Sequence, residues 1–545
     1  MQSLLPLSTA SALQPSMATG TADTDVAAAA AGQTAPAPSA SVTLTDARSA
    51  LLNQTYTPAG ALSPSVPVWE KNTSDAISSL MSSNYDATAL SDRFHGLGAA
   101  ALQRLSFDGG DYSQSVMLRS PGSGTDDAVS NLDRIRQTQL HTAADNQVTL
   151  DVKTAGGATV HLSLTSQAGG LGVQIEVTGG TLSDAERTAL AGLADGFQAA
   201  IDGLTSVPPK LALDGLTQFD PQVLASVDLQ ASFKLANGSV QSLSFQADSQ
   251  HRSVAYTGMA GTVNVDVDLS NPALLGSTDQ QSHALAAYLA QFDQAQSRGR
   301  GDAGLMEMFK DAFSALNTHY GVDPSHPAAT SGPAIALSDT DRAMLTGLAD
   351  FSASVQAADQ PSPNPLHPEE RDAFSYQVSQ QTTVRGTGPR DLAVEQTQQS
   401  HLSASYHQAL YPDTPLNLTT DKTSQNYYYD QIDDTASSVA SIAYKDGRLV
   451  KASLEQSTSQ STRIRKYVAG DLQEDLNTPS SVSRAWDLLG LIQDSKPRDD
   501  GSATRQDLDR WRNTLSGIAN LAVMKADPTQ LRGAQLAGAK EVQTN

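Results

Sequence analysis

Three long stretches of this chain carry apolar residues at every second position, and that period demands antiparallel sheet. Val148, Leu150 and Val152 alternate with polar residues, as do Val160, Leu162 and Leu164, and then Leu171, Val173, Ile175 and Val177. Successive side chains of a strand point to opposite faces, so each run has one apolar and one polar side. Gly156-Gly157 and Gly169-Gly170 separate the runs, which predicts a three-stranded meander. A second stretch, 226–269, holds a hairpin signal at Asn237-Gly238 and the alternating set Val263, Val265, Val267 and Leu269. The third, 374–468, includes Tyr376 and Val378, Leu402, Ala404 and Tyr406, and a turn at Asp446-Gly447. Its polar positions are Ser, Thr and Gln with few charges. Thr397–Ser400 and Ser457–Thr462 show no apolar side at all, which predicts strands running beyond their core as a wet ribbon.

Between these stretches the period changes to 3.6. Leu90, Phe94, Leu97, Ala101 and Leu105 form one helical stripe within 74–107. Further helices are expected at 278–297 and 302–319, and around Trp486 and Trp511. Residues 182–195 (LSDAERTALAGLAD) and 337–350 (LSDTDRAMLTGLAD) agree at nine of fourteen positions. In both, serine followed three residues later by an acid is a capping-box pattern, and a Pro-rich connector follows. This internal repeat predicts a duplicated unit of helix plus sheet. The fold class expected is α+β: a helical N-terminal segment, duplicated helix plus antiparallel β-meander units, and a helical C-terminus. The expected divisions are a disordered tail at 1–40, a helical segment at 41–125, a first β-sheet/helix domain at 126–325, a second with long strands at 326–470, C-terminal helices at 471–527 and a loose tail at 528–545.

Composition narrows the chemistry. The 545 residues include no cysteine, and 35 basic against 58 acidic side chains give a net charge of −23. Thiol nucleophiles, disulfides, zinc-thiolate sites and iron–sulfur clusters are excluded. A chain of this charge is repelled by phosphates, so no nucleic-acid partner is expected. No apolar stretch is long enough for a transmembrane helix, and the first residues lack the basic and apolar regions of a cleavable signal peptide. Absence of stray thiols suits a secreted or cell-envelope protein over a cytoplasmic one.

Searching for catalysis turns up little. The ten histidines form no metal-ligand motif. His401 and His407 share a strand face but stand about 20 Å apart, too far for one ion. Gly122-Ser123-Gly124 lacks the strand–turn–helix context of a nucleophile elbow. The pair Asp266/Asp268 lies on one strand face, where solvation is the expected state. Arg300-Gly301-Asp302 reads as a break between two helices, with Asp302 as N-cap. No catalytic residue, metal ligand or cofactor is assigned. The candidate binding residues are Tyr427, Tyr428 and Tyr429, because a tyrosine run in a chain with 5% aromatics suits a contact surface.

The runs Asp75–Ile77, Arg93–Ala100, Gly110–Ser115 and Gln425–Asp434 resemble proteobacterial proteins of unassigned function, and the resemblance implies no activity. The functional expectation is a non-enzymatic bacterial interaction or structural protein, exported or surface-associated, with a protein or cell-surface partner. Two alternatives stand beside it: a secreted effector of a contact-dependent secretion system, and a hydrolase whose carboxylates assemble only in the fold.

Overall fold

The computed structural model of the chain describes residues 67–72, 74–119, 131–320, 337–386, 388, 390–497 and 502–542. The expected tail 1–40 and the Gly122-Ser123-Gly124 loop lie outside these residues.

Among the described residues sixteen strands form one antiparallel sheet. They are β1 (Pro67–Trp69), β2 (Tyr112–Leu118), β3 (Asn146–Thr154), β4 (Thr159–Gln167), β5 (Gly170–Thr178), β6 (Leu224–Lys234), β7 (Val240–Asp248) and β8 (His251–Gly258). There follow β9 (Gly261–Asp268), β10 (Asp350–Ala357), β11 (Ala373–Arg385), β12 (Ala393–Ala409), β13 (Tyr427–Lys445), β14 (Arg448–Val468), β15 (Asp471–Asp487) and β16 (Lys540–Val542). The spatial order is β1-β2-β5-β4-β3-β6, then β7 to β16 in sequence. Near-neighbour pairing of this kind follows from the tight turns between most strands, among them Asn237-Gly238 and Asp446-Gly447.

The apolar side of the sheet carries most of the helices. Three short N-terminal helices, α1 (Ala76–Asn84), α2 (Leu90–Phe94) and α3 (Leu97–Phe107), lie beside α5 (Asp184–Gly192) and α6 (Ala194–Thr205). Helix α4 (Asn131–Thr142) lies between α3 and α5 in the chain, and α7 (Asp214–Thr217) follows α6. The long hairpin of α8 (Thr278–Gly299) and α9 (Ala303–Leu316) is divided as Arg300–Asp302 predicts. Arg300 adopts the left-handed conformation, and the Asp302 side chain accepts from the Leu305 amide at 2.8 Å. Tyr288, Phe292, Phe309 and Phe313 pack edge-on or tilted against one another and against Phe351 and Tyr376, docking this hairpin on β10 and β11. Arg252, buried by the apolar layer, donates to the carbonyls of Leu316, Thr318 and His319 and so closes the C-terminal end of α9.

This single sheet corrects the expected architecture. The N-terminal segment is not purely helical, since β1 and β2 flank its helices and form one edge of the sheet. The expected helical C-terminus begins instead with the 17-residue strand β15. That strand has no apolar stripe to bury as a helix; it is held by its backbone ladder to β14. Helices α11 (Leu489–Ser495), α12 (Arg505–Ala522) and α13 (Pro528–Gly533) follow it.

Duplication is overturned by the repeat itself. Both copies begin with a capping box, Ser183 with Glu186 and Ser338 with Asp341, the latter opening α10 (Asp339–Ala343). Beyond that they diverge: Ala194 and Asp195 continue into helix α6, whereas Ala349 and Asp350 lead into strand β10. The identical glycines differ too. Gly347 sits at φ 80° with its carbonyl accepting from Gly276, a conformation open to glycine, while Gly192 is helical. The first copy packs on α3 and the second on α12, so tertiary surroundings decide what the same residues become.

The wet-ribbon expectation fails at Thr397–Ser400, for an informative reason. Gln380, Gln398, Ser438 and Gln456 stand opposite one another across β11 to β14, on the helix-covered side, each at most 2% exposed. Their amides serve irregular backbone. Gln398 donates to the Ala522 carbonyl at 2.8 Å and accepts from the Met524 amide and the Tyr288 hydroxyl at 2.9 Å. Gln456 donates to Leu521 at 2.8 Å, and Gln380 donates to Leu348 and Ala349 at 3.1 Å. Leu substitution at Gln398 would leave these groups unpaired. We expect Gln398→Leu to cost about 3 kcal/mol in urea denaturation, and Gln399→Ala on the opposite side less than about 0.5 kcal/mol.

Candidate functional site

The open side of the sheet is ordered by register. Ser253, Asp266, Ser352, Ser379, Gln399 and Ser437 stand opposite one another across β8 to β13. The next row holds Asn264, Ser354, Gln377, His401 and Thr435. Because period-two strands in register place equivalent positions side by side, the weak per-strand preference for Ser, Thr and Gln becomes a continuous neutral surface. The sheet curves so that these rows line a trough of about 780 Å³, reaching Ser244 on one flank and Ser457 on the other. His401 meets Asp433 at 2.8 Å, and His251 pairs with Asp266 at 2.7 Å, so the two ionisable positions in the rows have local partners.

Both ends of this face are covered. Helix α4 packs over β2, β5 and β4, where His141 meets Glu70 at 2.9 Å. That hydrogen bond, with others from Ser113 and Ser115, outweighs burial and holds Glu70 down at about 2. At the far end the Pro-rich connector between β10 and β11, residues 358–372, crosses the sheet and brings Asn364, Glu370 and Asp372 against β12 to β14.

The tyrosine run is divided by this covering. Tyr427 and Tyr429 point to the open side and lie buried beneath the connector, whereas Tyr428 points to the other face and is half-buried. Tyr427 stacks on Tyr467, ring centroids 4.7 Å apart, and His407 lies 5.2 Å from Tyr427 and 4.8 Å from Tyr429. At the centre Glu370, fully buried, accepts from the Tyr427 hydroxyl at 2.8 Å and the Tyr467 hydroxyl at 2.9 Å. Arg465 forms an ion pair with it at 3.2 Å. His407 is placed 3.4 Å from Glu370, an ion-pair contact rather than a hydrogen bond, while its other ring nitrogen meets Asp372 at 2.7 Å.

Burial alone would raise the Glu370 carboxyl, but the hydrogen bonds from Tyr427 and Tyr467, the contact with His407 and the charge of Arg465 outweigh it and hold it below the usual range. For His407 burial lowers the ring, and Asp372 and Glu370 together more than reverse that. Two carboxylates therefore meet at one histidine, as the hydrolase alternative requires of carboxylates, but here the central one is sealed from solvent and engaged on both oxygens. The arrangement fastens the connector. Sequence inspection singled out the tyrosines by their rarity; Glu370, Asp372 and Arg465 carried no signal, because their meeting depends on a connector folding back over strands far away in the chain.

Among the described residues no group of three or more His, Asp or Glu side chains could hold a metal ion, and no helix is long and apolar enough to cross a membrane. No family model, curated protein or solved structure matches the chain.

The pH dependence of the fastening has a definite sign. A carboxyl lowered on folding contributes stability that is present above its unfolded value, 4.5, and is lost as pH falls through the folded value. A histidine raised on folding contributes below 6.5, and that contribution is lost as pH rises through its folded value. Glu370→Gln is expected to cost about 3 kcal/mol at pH near 6. That cost should shrink as pH is lowered below about 4.5, read by denaturant titration of both proteins across pH.

Proposed function

We propose that this is a non-enzymatic interaction or structural protein, exported or surface-associated, that engages its partner through the neutral trough. The observation that carries the reading is the cross-strand order of Ser, Thr, Asn and Gln over the open face. Each hydroxyl or amide can both donate and accept, so the rows suit a protein or cell-surface partner rich in neutral hydrogen-bonding groups. Few ionisable groups stand among them, although the chain as a whole carries −23. An anionic partner would meet the repulsion of the whole chain, whereas a neutral one would not. Absence of cysteine supports export in the same way it did from sequence.

The test uses the tagged full chain expressed in the source cells and fractionated into cytosol, envelope and medium. The protein is expected in the envelope or the medium. Ser352→Arg with Gln399→Arg, placed in one row on either side of β11, should reduce envelope retention about tenfold without lowering the melting temperature. Strictly cytosolic protein, or equal retention of the double variant, would overturn the reading.

A further inference from the structure

The far edge of the sheet is open over most of its length. Strand β16 pairs with β15 only at Ala485, Trp486 and Asp487. Among the described residues the outer backbone edge of β15 from Asp471 to Arg484 has no strand partner, and Asp471–Pro479 are exposed throughout. A long strand of this kind is a template for another. Proline and carboxylates on such an edge usually protect it, and Pro479, Asp471, Glu474 and Asp475 are all present. Two of these carboxylates are already matched within the chain: Asp475 by Arg463 at 2.7 Å and Glu474 by Lys466 at 2.8 Å.

We propose that a second copy of this chain adds to β15, antiparallel and about a two-fold axis through Asn477. An axis perpendicular to the sheet keeps like faces together, so the register must centre on a residue. Centring on Asp475 or Glu474 opposes that carboxylate to itself, and Gln473 is a bulge with no partner on β14. Centring on Asn477 avoids every like-charge pair and uses the regular free edge from Glu474 to Ser480. Leu476, 58% exposed in one chain, then faces Thr478. Glu474 faces Ser480, whose hydroxyl lies 3.5 Å from the Arg532 guanidinium, so a basic group waits on the same side of the sheet. Pro479 faces Asp475 and removes one amide donor from each copy, so the edge residues select this register more than they forbid pairing.

The absence of native cysteine makes the test clean. Sedimentation equilibrium of the full chain should give twice 57.1 kDa. Asn477→Cys, on the axis, should cross-link to a single disulfide dimer under mild oxidation, whereas Ser457→Cys in the trough should not. Leu476→Glu with Thr478→Glu opposes like charges twice and should weaken association about tenfold, and Leu476→Lys with Thr478→Glu should restore it. These positions are exposed, so circular dichroism should be unchanged. A mass that stays at 57.1 kDa at the highest soluble concentration, or equal cross-linking of both cysteine variants, would overturn the proposal.

Discussion

A row of buried amides holds this structure in register. Gln380, Gln398 and Gln456 lie on the covered side of the sheet between two apolar clusters, one built on the α8–α9 hairpin and one on α12. Each clamps backbone that no helix or strand satisfies: the 348–349 segment before β10, and the 521–524 exit of α12. Buried peptide groups without partners would be costly, and an apolar side chain cannot supply them. The arrangement therefore fixes where α12 sits and where the second copy of the LSD repeat turns into a strand.

The open face depends on this indirectly. With helices and clamped loops confined mainly to one side, the other side of the central strands is left for Ser, Thr, Asn and Gln. Register aligns them into rows across strands far apart in sequence, and curvature turns the rows into a trough. The connector 358–372 then closes one end, with Glu370 at the centre of the tyrosine cluster. The neutral trough and its closure come from different parts of the chain, brought together by the sheet.

Several features were legible from sequence. The strands at 146–178 lie where period two places them, the turns at Asn237-Gly238 and Asp446-Gly447 join adjacent strands, and Asp302 caps α9. Local patterning carries such features because each depends on a few neighbouring residues. Other readings failed where distant contacts govern. Nine shared residues in the repeat did not make two copies of one structure, since Gly347 is held by Gly276 and Gln380 reaches the two carbonyls that follow. Gln398 read as solvated because polar side chains usually are, and its partners lie more than a hundred residues away.

By itself, the sequence determined the strand-forming period, the chemistry excluded by the missing cysteines and the neutral character of the polar positions. Only the tertiary structure decided that all the strands join one sheet, that some glutamines are core and others surface, and that Tyr427 and Tyr429 are sealed while Tyr428 is not. The physical reason is the same in each case. A period of two says that a strand has two faces, but which face is buried is set by what packs against it, and those partners come from remote parts of the chain.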